Sequence, residues 1–373
     1  MTEAKRDLPG YRGTLHRTTN ELLDWQAGTL PEPALEPELP IVDAHHHLYG
    51  TPTDPHHYRL EDLERDFAGG HRIIATVYVE GYQSGWHRSG PQALRPVGEV
   101  LKIAALAQSG VSLSQGPCKL AAGIVSHADL LLGDEVAEVL EAQLEAGRGR
   151  LRGVRHAAAH EDGAVGRFVL HPAKPHLLAD PVFRKGLSQV HRFGLSFDAW
   201  IYHLQLGELA DLADALPELS IVLNHVGGLI GVGDYRRHRA ANVARWRHDL
   251  GRLAACPNVS VKVGGMGMPV FGFGFEHRGT PPTSLELAQA WQPLIDACIE
   301  AFGAQRCMFE GNFPVDKQSC GYTELWNAFK RATRSLSPVE RAALFCGTAC
   351  RVYRLAVNGE QKGGPPTSRT AIS

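Results

Sequence analysis

Residues 41–49 read IVDAHHHLY. Side chains alternate along a strand, so Asp43, His45 and His47 fall on one face and His46 on the other. Two imidazoles at i and i+2 can converge on one metal ion or one substrate group. Neutral imidazole ligates divalent ions, and its pKa near neutrality also suits proton transfer. The spacing leaves both chemistries open. The bland alternative is a histidine-rich turn in a chain that holds 19 histidines.

The same pattern recurs further along. Short apolar, β-branched runs are predicted as strands at 41–47, 72–81, 119–127, 151–159, 195–203, 220–228, 258–265 and 307–315. Six of them besides the first end in groups able to do chemistry. They are Tyr78 and Glu80, then His127, Arg155 with His156, Tyr202 with His203, and Asn224 with His225. The last strand ends in Glu310 and Asn312, with Asp316 just beyond. Polar groups buried without partners cost free energy, so a set of strands ending this way describes a polar rim rather than a core. Single members have plainer readings. His127 can cap a helix, Glu80 can pair with an arginine, and Tyr78 can belong to the core.

Segments rich in Ala, Leu and charge, such as GDEVAEVLEAQLEAG, separate most of these runs and read as helices. Eight near-continuously apolar strands alternating with helices predict a parallel sheet closed as a (β/α)₈ barrel, whose catalytic groups come from the C-terminal strand ends. The barrel is expected over residues 41–356. Residues 1–40 are expected to form an extended arm, because LPEPALEPELP carries four prolines. Residues 357–373 read as a disordered tail. Neither end is expected to carry chemistry. The glycine-rich stretch at 264–285 is expected to be either a lid over the site or a surface excursion.

The totals narrow the function. Thirty-eight basic residues against 40 acidic ones argue against nucleic acid or an anionic membrane as partner. No apolar run is long enough to span a bilayer, and the first residues lack the pattern of a signal peptide. Seven scattered cysteines fit reduced thiols in a cytoplasmic protein. GGLIGVG has the wrong spacing for a dinucleotide fingerprint.

DAHHHL (43–48), LRGVRH (151–156), LNHVGG (223–228), SVKVGG (260–265) and RCMFEGNFPVDK (306–317) resemble the amidohydrolase superfamily, most closely its lactonase-like group. The resemblance implies a distorted (β/α)₈ barrel. It implies that His45, His47 and His225 are metal ligands, with zinc the expected divalent ion, although some members of the group work without metal. It also puts His203 at the end of strand five. One departure is marked. Where the superfamily has a strand-eight aspartate stands Asn312, and an amide cannot act as a general base. Glu310, on the same face, or Asp316 is expected to supply the carboxylate. Glu310 could instead be structural, paired with Lys262 or an arginine.

The leading expectation is therefore hydrolysis of a cyclic ester or related bond in a small substrate. Glu310, Asp316, His203 and His156 are the candidate catalytic groups, and Arg155, Asn312, Tyr202 and His127 the candidate substrate ligands. Arg155 suits a substrate carboxylate, because guanidinium binds carboxylate bidentately. The alternatives are a metal-dependent decarboxylase, a tailoring enzyme for a larger natural product, and a non-catalytic binding barrel. The partner is expected to be a small molecule, and the proline-rich arm allows a homo-oligomer.

Overall fold

The computed structural model describes residues 11, 13, 16–81, 84–109, 111–113, 116–169 and 172–357. The expected tail lies outside the described residues, apart from Val357. Eight strands run parallel, each pairing with the next: β1 (Ile41–His46), β2 (Ile73–Val79), β4 (Gly116–His127), β5 (Leu151–Arg155), β6 (Ser196–Ala199), β7 (Ile221–Leu223), β8 (Val259–Val263) and β9 (Cys307–Phe309). A short β3 (Val111–Leu113) pairs antiparallel with the start of β4. The strand residues are apolar on both faces because helices cover the outside and side chains fill the inside.

The ring closes through the chain just after β9. Asn312 N donates to His45 O at 2.8 Å and His47 N to Phe313 O at 2.9 Å. Asp43 holds this seam. Its buried carboxylate accepts from Gly311 N (2.7 Å), His45 N (3.1 Å) and Tyr322 Oη (2.9 Å). Burial lifts its pKa to about 6. Asp43→Ala strands three buried donors, so we expect it to lower unfolding free energy by about 3 kcal/mol in urea titration. A loss below about 1 kcal/mol would show that the seam does not depend on this residue.

Strands β6 and β7 are shorter than the sequence predicts. Single 3₁₀ turns, His203–Gln205 and His225–Gly227, replace their expected ends. The arm also differs from expectation, for it holds a helix, α1 (Thr19–Ala27). A capping box starts it: Thr18 Oγ1 accepts from Glu21 N, and Glu21 accepts from Thr18 N. Leu22 and Trp25 then bury one side of α1. The prolines begin only after that helix has ended, so they do not oppose it. The 264–285 segment is a folded wall rather than an excursion, with Met266, Met268, Val270, Phe271 and Phe275 buried. All seven cysteines are free thiols. Among the described residues no helix is long and apolar enough to cross a membrane.

Candidate active site

The C-terminal ends of five strands bring one ionisable cluster together. His45 lies at its centre, fully buried. Its Nδ1 is 3.3 Å from Lys262 Nζ and 2.9 Å from Glu310 Oε2. Its Nε2 is 3.2 Å from His47 Nε2 and 3.3 Å from Arg155 Nη1. His47 Nδ1 faces two carbonyl oxygens, Val79 O at 3.0 Å and Glu80 O at 3.1 Å. Carbonyls only accept, so His47 carries its proton on Nδ1 and accepts at Nε2. His45 Nε2 then donates to His47, and His45 Nδ1 accepts from Lys262. Burial, followed by the surrounding cations, holds His45 well below the usual imidazole pKa. His46 faces away, as alternation requires, with Nε2 2.9 Å from Thr76 Oγ1.

Glu310 and His225 form a dyad. Glu310 Oε1 accepts from His225 Nδ1 at 2.7 Å and from His225 N at 3.2 Å. Oε2 approaches His45 but lies off the line of a hydrogen bond. With Nδ1 committed to the carboxylate, Nε2 is the nitrogen of His225 left for the pocket it lines. His225 has a left-handed backbone (φ 53°), a strain that marks functional turns. Two glycines of the SVKVGG stretch make the room. A Cβ on Gly264 would come 2.4 Å from Glu310 Cγ, and one on Gly265 2.4 Å from His225 Nδ1. Burial pushes Glu310 up to about 8, against the pull of Lys262. It holds His225 well below the usual range, helped by Arg155 and Lys262.

Two cations border this group, each with its own anion. Arg155 Nε donates to Glu80 Oε1 at 2.6 Å and Nη2 to Glu80 O at 2.8 Å. Lys262 Nζ donates to Asp198 Oδ2 at 2.8 Å, deep in the barrel. Tyr353 Oη (2.8 Å), Asn224 Nδ2 (3.2 Å) and Ser196 Oγ (3.4 Å) also donate to Asp198.

Above the cluster is a cavity of about 120 Å³. His47, Arg155, Tyr202, His225 and Asn312 line it, with Phe168, Trp200 and Met268 as apolar walls. Other predicted site residues are elsewhere. Asp316 is fully buried behind Asn312, accepting from Asn312 Nδ2 and from Gly267 N, both at 2.8 Å. It anchors the 264–285 wall and does not reach the cavity. His203 sits in its turn, where Nδ1 accepts from Ile230 N at 3.3 Å and the ring meets Tyr235 edge-on. His156 follows Arg155 and so points outward, with Nδ1 accepting from Leu130 N at 3.1 Å. His127 stacks on Trp86 and lies tilted against His156 in an outer groove. A larger groove of about 590 Å³ runs beside α1, and none of the strand-end groups lines it.

His45, His225 and Glu310 place three metal-ligating atoms within 4.8 Å of one another, and His47 is not of that set. By donor type the trio fits zinc. Charge opposes it, because Lys262 and Arg155 each stand 3.3 Å from a nitrogen of His45, although Asp198 and Glu80 offset part of that. A divalent ion about 4 Å from one ammonium would be opposed by about 8 kcal/mol at an effective dielectric of 20.

A closed α/β barrel with a histidine–carboxylate dyad at its C-terminal mouth belongs among the barrel enzymes that act on small molecules. The family model described as "Amidohydrolase" matches residues 42–355, and the chain belongs to that family. It is 28% identical over 330 residues to the uncharacterized protein y4mH of Sinorhizobium fredii, covering 85% of this chain and 99% of that one. It is 30% identical over 207 residues to the L-fucono-1,5-lactonase of Burkholderia multivorans, covering 55% of this chain and 64% of the lactonase. A Burkholderia multivorans amidohydrolase crystallised with bound zinc shares the fold, with a TM-score of 0.63 and 24% identity over 84% of this chain and 99% of that one.

Proposed function

We propose that the protein hydrolyses a small lactone, with the His225–Glu310 dyad activating water and Arg155 stabilising the developing oxyanion, and that no resident metal is needed. The observation that carries this reading is the 2.7 Å contact between His225 Nδ1 and Glu310, which leaves Nε2 for a cavity that Arg155 also lines. Neutral His225 takes a proton from water at Nε2 while Glu310 stabilises the cation that forms. The hydroxide adds to the ring carbonyl. Arg155, held by Glu80, faces the charge that develops on oxygen. Collapse breaks the ring C–O bond, and the proton on His225 passes to the departing alkoxide. The product is a hydroxy acid. The named lactonase relative supports the same reaction, the opening of a lactone ring.

The test is acid release from a panel of γ- and δ-lactones after exhaustive chelation. Ring opening that survives chelation is expected. Activity lost with the chelator and restored by zinc would overturn the metal-free reading. Carbon dioxide release from a carboxylated substrate, without ring opening, would replace hydrolysis by decarboxylation.

A further inference from the structure

We propose that the N-terminal arm is the roof of the pocket, and that Tyr11, seated on Phe168, sets the size and flatness of the ring the enzyme accepts. The specificity half of this proposal rests on the lactone reading above. Tyr11 precedes the barrel by thirty residues of chain, yet it is only 4% exposed. Its ring centroid is 4.8 Å from that of Phe168, edge-on at 61°. Phe168 and Tyr202 line the cavity. Burial raises the Tyr11 phenol well above its usual pKa, and Tyr202 and then Glu276 add to the shift.

The arm is fastened where a roof would need to be. Gln318 Oε1 accepts from Arg17 N at 2.7 Å and from His16 N at 3.1 Å, and Gln318 Nε2 returns a bond to Arg17 O at 3.0 Å. Arg278 O accepts from Arg17 Nη2 at 3.2 Å and from Trp25 Nε1 at 2.9 Å. Gln318 follows β9, Arg278 follows β8, and Phe168 follows β5. One strap therefore joins three of the loops that frame the barrel mouth.

What it covers is small and apolar on one side. The cavity of about 120 Å³ is below the usual span for ligand pockets, roughly 300–1,000 Å³. Hydroxyls directed at the side chains of Phe168, Val169 and Met268 would meet apolar groups. A flat, largely unsubstituted lactone fits this enclosure, whereas a polyhydroxylated sugar lactone does not.

The experiment uses the full chain with Tyr11→Ala, Phe168→Ala and Tyr11→Phe. Diethyl pyrocarbonate modification of His225, followed by peptide mapping, needs no substrate. It should quicken several-fold in the two alanine variants and stay at the wild-type rate in Tyr11→Phe, which keeps the ring. In kinetics, the ratio of kcat/KM for a ring-substituted lactone to that for its parent should rise about 10-fold in Tyr11→Ala. Unchanged His225 modification in both alanine variants would overturn the roof, whatever the substrate. Faster modification with an unchanged ratio would overturn the specificity role. Faster modification in an enzyme that opens no lactone would support the roof and reject the reaction.

Discussion

Glu310→Gln is expected to lower kcat/KM for lactone opening by about 10²- to 10⁴-fold, the usual worth of the general-base catalysis that Glu310 supports in His225. The pH profile should say why. Burial pushes the Glu310 carboxyl up to about 8. Below that pH it holds a proton and donates it to His225 Nδ1, so the imidazole carries its own proton on Nε2 and offers no lone pair to water. Wild-type kcat/KM should therefore climb through an apparent pKa near 8 that belongs to the dyad. Glutamine keeps the shape but loses the ionisation, so the climb should vanish. Stability supplies an independent check. A carboxyl whose folded pKa is raised stabilises the fold fully below its unfolded pKa, and that contribution is lost as pH rises to about 8. The neutral amide does not ionise, so the variant should match wild-type melting near pH 4 and exceed it above pH 8. A variant that keeps its activity and its climb would move the base elsewhere.

How much of this was legible follows from which rule governed each residue. Alternation separated His45 and His47 from His46, but it misplaced Asp43, because the register of β1 shifts between Asp43 and His46 and the Asp43 carboxylate turns outward to Tyr322. The apolar runs likewise marked the eight barrel strands. Past the strand ends alternation no longer applies. His203 lies in a 3₁₀ turn, where its ring fills core beside Tyr235, and His156 lies one step out of phase with Arg155. Asp316 looked like a base because carboxylates at a barrel rim often are; its burial behind Asn312 depends on contacts with the 264–285 wall. The partners of the chosen residues were harder still. Lys262 was readable as a possible mate for Glu310, yet its anion is Asp198, 64 residues away in sequence. Tyr11 carried no signal at all, since its role depends on where a remote arm comes to rest.

Lys262→Met is expected to change both stability and metal affinity. The ammonium is fully buried and neutralises Asp198 at 2.8 Å. Its removal leaves a buried carboxylate held by the neutral donors Tyr353 Oη, Asn224 Nδ2 and Ser196 Oγ alone, which should cost about 3–5 kcal/mol. Lys262→Met with Asp198→Asn removes the anion as well and should recover much of that loss. The same change tests the charge argument at His45. With the ammonium gone, His45 Nδ1 and the carboxylate of Glu310 lose the cation that opposes a divalent ion. Zinc should then raise the melting temperature of both variants, by an amount equivalent to about 2.7 kcal/mol at a hundred times its Kd, and leave wild type unmoved. If wild type takes up one zinc per chain and melts higher for it, Lys262 does not exclude the ion, and His45, His225 and Glu310 are its ligands. If zinc stabilises only the variants, the lysine occupies the electrostatic place of a metal, and Asn312, where the family resemblance implies an aspartate, has no bound ion to serve.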